Sequence, residues 1–176
     1  NNPETAYKQT IHTAQPFEIG RVSVSGGTSV KTIRAATGEG TRTLANDVQL
    51  SRELELSGVE SIVLNGTVYQ SNSTVLTNNI STFGSKTLTI NGDIYASDSN
   101  DIRPWRFEGS GHTIVHGIID DSLGHPAVDG ASLIVDGTGR VVLTNPAVAA
   151  YGGNTQVSGG GVGRHRDRGG ARALPT

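Results

Sequence analysis

From Phe17 onward, apolar and polar residues alternate in short runs, each cut off by glycine, asparagine, aspartate or serine. Phe17-Glu18-Ile19, Arg21-Val22-Ser23-Val24 and Val30-Lys31-Thr32-Ile33 open the pattern. Its most regular part predicts strands at 48–50, 54–56, 61–64, 67–70, 74–76, 87–90, 93–96, 105–107, 113–115, 118–119, 132–135 and 140–143. Alternation with period 2 places every second side chain on one face, so each run reads as a strand with one face buried. Glu53 to Leu56 comes nearest to a helical turn, but Gly58 and strand-like neighbours argue against it.

The runs recur. Asn65-Gly66-Thr67-Val68-Tyr69 returns 26 residues later as Asn91-Gly92-Asp93-Ile94-Tyr95, and more loosely as His116-Gly117-Ile118-Ile119-Asp120. Ile62-Val63-Leu64, Leu88-Thr89-Ile90 and Ile114-Val115 precede the three copies. A fixed offset of this size marks a stacked repeat, in which one unit cannot bury its own apolar face. The predicted fold is therefore all-β, a parallel β-helix (solenoid) of short strands with roughly 20–26 residues per coil. Leu64, Ile90 and Val115 are expected to stack inside it, with Tyr69 and Tyr95 in a second column, inside or out. A sandwich or barrel has no reason to keep such a register. An antiparallel sandwich binding module ranks third among the readings.

Composition agrees. The 176 residues include 24 Gly and no Cys or Met, with only 17% charged. Thr, Val and Ile broken by turn residues suit strands, and strong helix formers are too few for a bundle. No apolar stretch approaches the ~20 residues that span a bilayer, and no signal peptide is visible. The start at Asn1-Asn2-Pro3 suggests a fragment or a processed chain. Residues 1–16 are expected to be a loosely ordered lead-in, 17–160 the repeat domain and 161–176 a disordered basic tail rich in Gly and Arg. Residues 1–160 hold ten Lys and Arg against fifteen Asp and Glu, a mildly acidic body with no footprint for nucleic acid.

Gly137-Thr138-Gly139-Arg140-Val141-Val142-Leu143-Thr144-Asn145-Pro146, followed by Tyr151-Gly152-Gly153-Asn154-Thr155-Gln156-Val157-Ser158-Gly159-Gly160, resembles the autotransporter-associated β-strand repeat. That family reads roughly G-x-G-T-L-x-L-T-G-x-N-T-Y-x-G-G-T-x-V-x-x-G. Thr43 to Leu50 and Leu54 to Gly58 resemble the strand pairs that precede it, so the resemblance spans about residues 38–160. Arg140-Val141 departs from the Thr-Leu step, and no further strand of the Thr-Leu-x-Val type follows Gly160. The resemblance implies a right-handed parallel β-helix from a large exported or surface protein, acting as a rigid stalk without catalytic residues.

Candidate chemistry is sparse. Asp120 and Asp121 are the catalytic candidates of a polysaccharide-cleaving reading, since sugar-cleaving β-helices use aspartates on one face. Neighbours on a strand point to opposite faces, however, so the pair cannot flank one glycosidic bond unless the strand ends there. The order Asp120-Asp121-Ser122-Leu123-Gly124-His125 is similar to the polygalacturonase motifs, but Pro126 stands for the second Gly and a turn cluster is the preferred reading. His112 and His116 would lie ~13 Å apart along a strand at ~3.3 Å per residue, too far to share a metal. In Arg103-Pro104-Trp105-Arg106-Phe107, Trp105 beside Tyr95 would stack on a sugar if exposed, though packing in the core is the preferred role. Asn65, Asn91 and Asp136 sit near glycines without the Gly-Gly-x-Gly-x-Asp pattern of calcium sites; they are expected to hydrogen-bond the turns and tolerate a left-handed backbone. Asn65, Asn72 and Asn79 also match the glycosylation acceptor.

The expected function is a non-enzymatic β-helical stalk or adhesion scaffold of an exported or bacterial cell-surface protein. A polysaccharide-binding or polysaccharide-cleaving β-helix is the alternative. No cofactor, metal or nucleic acid is expected. Surface glycans or host-cell molecules are the expected partners, with membrane attachment only through a further domain and self-association through exposed coil ends.

Overall fold

The computed structural model describes residues 21–26, 30–38, 40–96, 103–121, 131–145 and 152–159, and the backbone of Gly161–Arg164. Its short strands follow one another around three faces. β1 (Val22–Val24), β4 (Val48–Leu50), β7 (Val68–Gln70), β10 (Ile94–Tyr95) and β13 (Ile119–Asp120) form the first sheet. β2 (Lys31–Ala35), β5 (Leu54–Gly58), β8 (Val75–Ile80), β11 (Trp105–Glu108), β14 (Leu133–Val135) and β16 (Thr155–Val157) form the second. The third holds β3 (Arg42–Leu44), β6 (Ile62–Leu64), β9 (Thr87–Ile90), β12 (His112–Val115), β15 (Arg140–Leu143) and β17 (Gly161–Arg164). Every pairing among them is parallel. Consecutive strands belong to different sheets, so each triplet is one coil: coil I is β1–β3, coil II β4–β6, coil III β7–β9, coil IV β10–β12 and coil V β13–β15.

This is the expected parallel solenoid, and the expected columns are in it. Leu44, Leu64, Ile90, Val115 and Leu143 are register partners in turn. The last four are buried in the core, as are Val48, Val68, Ile94 and Ile119 of the first sheet. Each fully buried Leu, Ile or Val is worth about 1.5–3 kcal/mol of transfer free energy. Tyr69 and Tyr95 are partners as well, one residue along from Val68 and Ile94 and therefore on the opposite side of the sheet from that column, where Tyr69 is itself buried and Tyr95 half-buried.

The glycine of each Asn-Gly step has a steric cause. A Cβ on Gly92 would lie 2.0 Å from the Gly66 carbonyl oxygen, and one on Gly117 2.1 Å from that of Gly92. The corners stack backbone on backbone, which leaves no room for a side chain. Left-handed conformations are not the reason: among the described residues only Ser85 combines a side chain with a positive φ, 59°. Asn65 and Asn91, expected to tolerate that conformation, instead bond each other across coils, Asn91 Nδ2 donating to Asn65 Oδ1 at 2.7 Å. Asp47 and Asp93 do serve the corner backbone, accepting the Thr67 and Ile118 N–H groups at 2.8 and 3.0 Å.

Several expectations need adjusting. Coil length is less constant than 20–26 residues: Phe107 follows its partner Leu76 by 31 and precedes its partner Val135 by 28. One corner among the described residues takes up part of the difference. Between β8 and β9 the chain makes an extra excursion over residues 81–86, closed by a Ser85 N–H to Thr82 carbonyl bond of 3.1 Å, with Phe83 89% exposed at its tip. β8 also runs on past residue 76, the expected end of the strand, through Asn78 and Asn79, because both find partners within the prism wall. β17 pairs with β15 inside the segment read as a tail; a backbone ladder needs no apolar alternation. The lead-in at 1–16, the strand at Phe17 to Ile19 and residues 165–176 lie outside the described residues.

Candidate functional site

The residues singled out for chemistry are distributed over different sides of the prism. On the outer face of the first sheet, Gln49, Tyr69, Tyr95 and Asp120 form one register column. The Arg21 guanidinium lies 4.7 Å from the centroid of the Tyr69 ring, a cation–π distance, and reaches Gln49 Oε1 at 3.4 Å. Tyr95 is half-buried, and its phenol is pushed up from the ordinary value by burial first, then by the Asp93 and Asp120 carboxylates. The Asp93 and Asp120 carboxylates thus stand near the Tyr95 phenol on this face.

Asp120 and Asp121 diverge as alternation requires. Asp120 stays on the outer face and accepts the Asp121 N–H at 2.7 Å. Asp121 is 4% exposed, its Oδ2 accepting the Gly152 N–H at 2.9 Å. They are not brought to a shared cleft.

Trp105 and Phe107 both face the core, each 2% exposed, and meet edge to face with ring centroids 5.9 Å apart. The indole packs above Leu133 and presents no ring to solvent, the packing role preferred from the sequence.

His112 and His116 stand on the outer side of β12 and both reach the β15 coil. His112 Nδ1 accepts the Arg140 N–H at 3.3 Å. His116 Nδ1 lies 2.6 Å from Thr144 Oγ1; since that hydroxyl donates to the Val115 carbonyl, the imidazole is its donor. Among the described residues no three His, Cys, Asp or Glu are placed to hold a metal. The asparagines of the three acceptor triplets are committed between coils, to Asn91, Ser51 and Glu55.

No family model, curated protein or solved structure matches the chain. The parallel solenoid thus stands on its own strand pairings, and nothing beyond that architecture ties the chain to autotransporter passengers.

Sequence reading missed the set of side chains that run along the solenoid axis. Thr32 Oγ1 donates to Glu55 Oε2, Asn79 Nδ2 to Glu55 Oε1, and the Ser110 N–H to Asn79 Oδ1, at 3.3, 3.0 and 3.3 Å. Arg106 Nη1 lies 3.5 Å from carboxylate oxygens of both Glu108 and Asp136. Glu60 receives Lys86 Nζ at 2.6 Å and the Gly38 N–H at 3.4 Å, joining coils I, II and III. Complementary residue types one coil apart, 55 with 79 and 60 with 86, were the available signal.

The Lys86 hydrogen bond holds the Glu60 carboxyl below its ordinary value, against some desolvation and with help from the Gly38 N–H and the Lys86 and Arg42 charges. A depressed folded value means a contribution that is whole above the ordinary carboxylate range and fades as pH falls through the folded one. Glu60→Gln is therefore expected to lower the thermal midpoint at neutral pH and to converge with the parent chain as the solution is acidified below pH ~4, close to the unperturbed carboxyl value. Coincident curves at all pH values would show the contact to be energetically silent, and a constant offset would show that the loss does not depend on the Glu60 charge.

Proposed function

We propose that the chain is a non-enzymatic β-solenoid scaffold, a rigid stalk segment of an exported or bacterial cell-surface protein of the autotransporter type. The observation that carries this reading is the pairing of continuous apolar columns inside the prism with polar ladders outside it, both directed along the axis. Such an arrangement resists extension and bending, while candidate catalytic side chains are spread over opposite faces. Its task is to hold recognition elements away from a surface, toward glycans or host-cell molecules. Attachment to a membrane falls to another domain, and self-association would run through the strand edges at the coil ends.

Pulling the full chain between its ends in a single-molecule experiment is the direct test. The expected trace has discrete unfolding steps, each releasing one or more coils at ~3.5 Å per residue freed. Smooth extension at low force would remove the stalk reading. The surface assignment has its own check: protease added to intact cells should cleave the chain, and cleavage seen only after lysis would overturn it.

The outer face at Tyr95 favours one second reading, a polysaccharide-binding module, because Tyr95 with Asp93 and Asp120 offers a hydrogen-bonding aromatic platform. Saturable oligosaccharide binding lost on Tyr95→Ala would replace the stalk by that module. Sugar cleavage lost on Asp120→Asn or Asp121→Asn would make it an enzyme.

A further inference from the structure

We propose that Gln70 and Asn78 form a register lock at the junction between coils III and IV, and that the solenoid opens first along that junction. The inference concerns the fold's own mechanics and goes beyond the stalk reading.

Two inward columns are apolar until coil III. Val24 and Leu50 are followed by Gln70, and Ile33 and Leu56 by Asn78. Gln70 and Asn78 are 0% and 1% exposed. In a third column Leu88 is followed by the buried Thr113. Three buried inward polar side chains, two on coil III and one on coil IV, thus belong to the pair of coils on either side of one junction.

Each amide spends its donors on coil IV and its acceptor on its own coil. Gln70 Nε2 donates to the Ala96 carbonyl at 2.6 Å and the Pro104 carbonyl at 3.0 Å, while Gln70 Oε1 accepts from Thr74 Oγ1 at 3.1 Å. Asn78 Nδ2 donates to the His112 carbonyl and to Thr113 Oγ1, both at 3.0 Å, and Asn78 Oδ1 accepts the Ile80 N–H at 3.0 Å. Carbonyls only accept and backbone N–H groups only donate, so neither amide can be turned over. Gly109 and Gly111 close the fit: a Cβ on either would lie 2.2 and 2.4 Å from Asn78 atoms.

Leu, Ile and Val in neighbouring columns are nearly interchangeable, so a strand displaced by two residues keeps its inward face apolar. Chain connectivity restrains coil IV weakly, since 31 residues separate Leu76 from Phe107, against 22 between Leu54 and Leu76. Two amides that fit only one set of carbonyls remove the ambiguity, as a single buried asparagine does in a coiled coil. The same chemistry makes the junction the place to open. Parted apolar columns face water without compensation, whereas parted amides and carbonyls hydrate.

Native-state hydrogen exchange on the full chain tests the proposal. The expected result is two groups of amides, those of β4–β9 and those of β11–β15, opening with different midpoints in denaturant. Asn78→Asp and Gln70→Glu keep the size and remove the donor pair. They are expected to speed exchange in β11 and β12 by about tenfold or more, with less than about a twofold change in β4–β6. Thr113→Val removes one acceptor at constant volume and should speed β12 alone. A single common opening of the parent chain overturns the proposal whatever the variants do, and so does equal acceleration on both sides of the junction.

Discussion

Gly92→Ala is expected to remove about 3 kcal/mol or more of stability, the upper range for overpacking. The added methyl carbon would sit 2.0 Å from the Gly66 carbonyl oxygen and 2.4 Å from its carbon, both backbone atoms. Retreat is blocked, because the ladder holds the corner on either side: the Asn91 N–H on the Leu64 carbonyl and the Val68 N–H on the Asp93 carbonyl, each at 2.8 Å. For a chain of this size the loss corresponds to a thermal midpoint lower by about 10 °C. Gly84→Ala is the control. Its φ is 71°, yet only the flexible Lys86 Cε lies within 4 Å, at 3.8 Å. Strain alone is expected there, about 1 kcal/mol. Equal losses at the two positions in denaturant titrations would show that coil contact is not what the repeated glycine serves.

Trp105→Ala is expected to cost about 3–5 kcal/mol, the range for deleting a buried aromatic ring. The indole lies between the coil III and coil V neighbours of its column, edge to face on Phe107, with Leu133 as its partner below. Truncation leaves a cavity in a wall built from close-packed layers, where relaxation in one coil disturbs the next. Unfolding followed by far-ultraviolet dichroism reads the effect, since no other Trp remains to report. A variant with unchanged stability and lost sugar binding would move Trp105 from the core to a ligand face and revive the polysaccharide reading.

The solenoid itself was legible because burial repeats at a nearly constant offset. Leu64, Ile90 and Val115 are each apolar, each followed by a polar residue and Gly, and each in the same column. Tyr69 and Tyr95 carried the same information for an outer column. What could not be read was the division into three faces, because corners leave no periodic trace when they differ in length. The strand expected at 74–76 runs on through Asn78 and Asn79 for a physical reason. Asparagine is a turn former when its amide bonds its own backbone, and strand-compatible when a neighbouring coil supplies the partners. The Asn-Gly steps were recognised as corners, but the glycine answers to a carbonyl one coil away. No local rule contains that neighbour. The axial ladders escaped for the same cause: Glu55 and Asn79 are unremarkable surface residues until the coil brings them together. For the site, Asp120 and Asp121 separated as strand alternation demands, whereas the Arg21, Gln49 and Tyr69 cluster depends on coil register.

The excursion at residues 81–86 lengthens one corner while Ile80 and Leu88 on either side keep their places against Gly58 and Ile62. Chain added at such a point leaves no trace in the layers above and below. A solenoid built this way can be fitted with new protrusions one corner at a time, its wall unchanged, so that novelty in what it touches need not be traded against the integrity of the shaft.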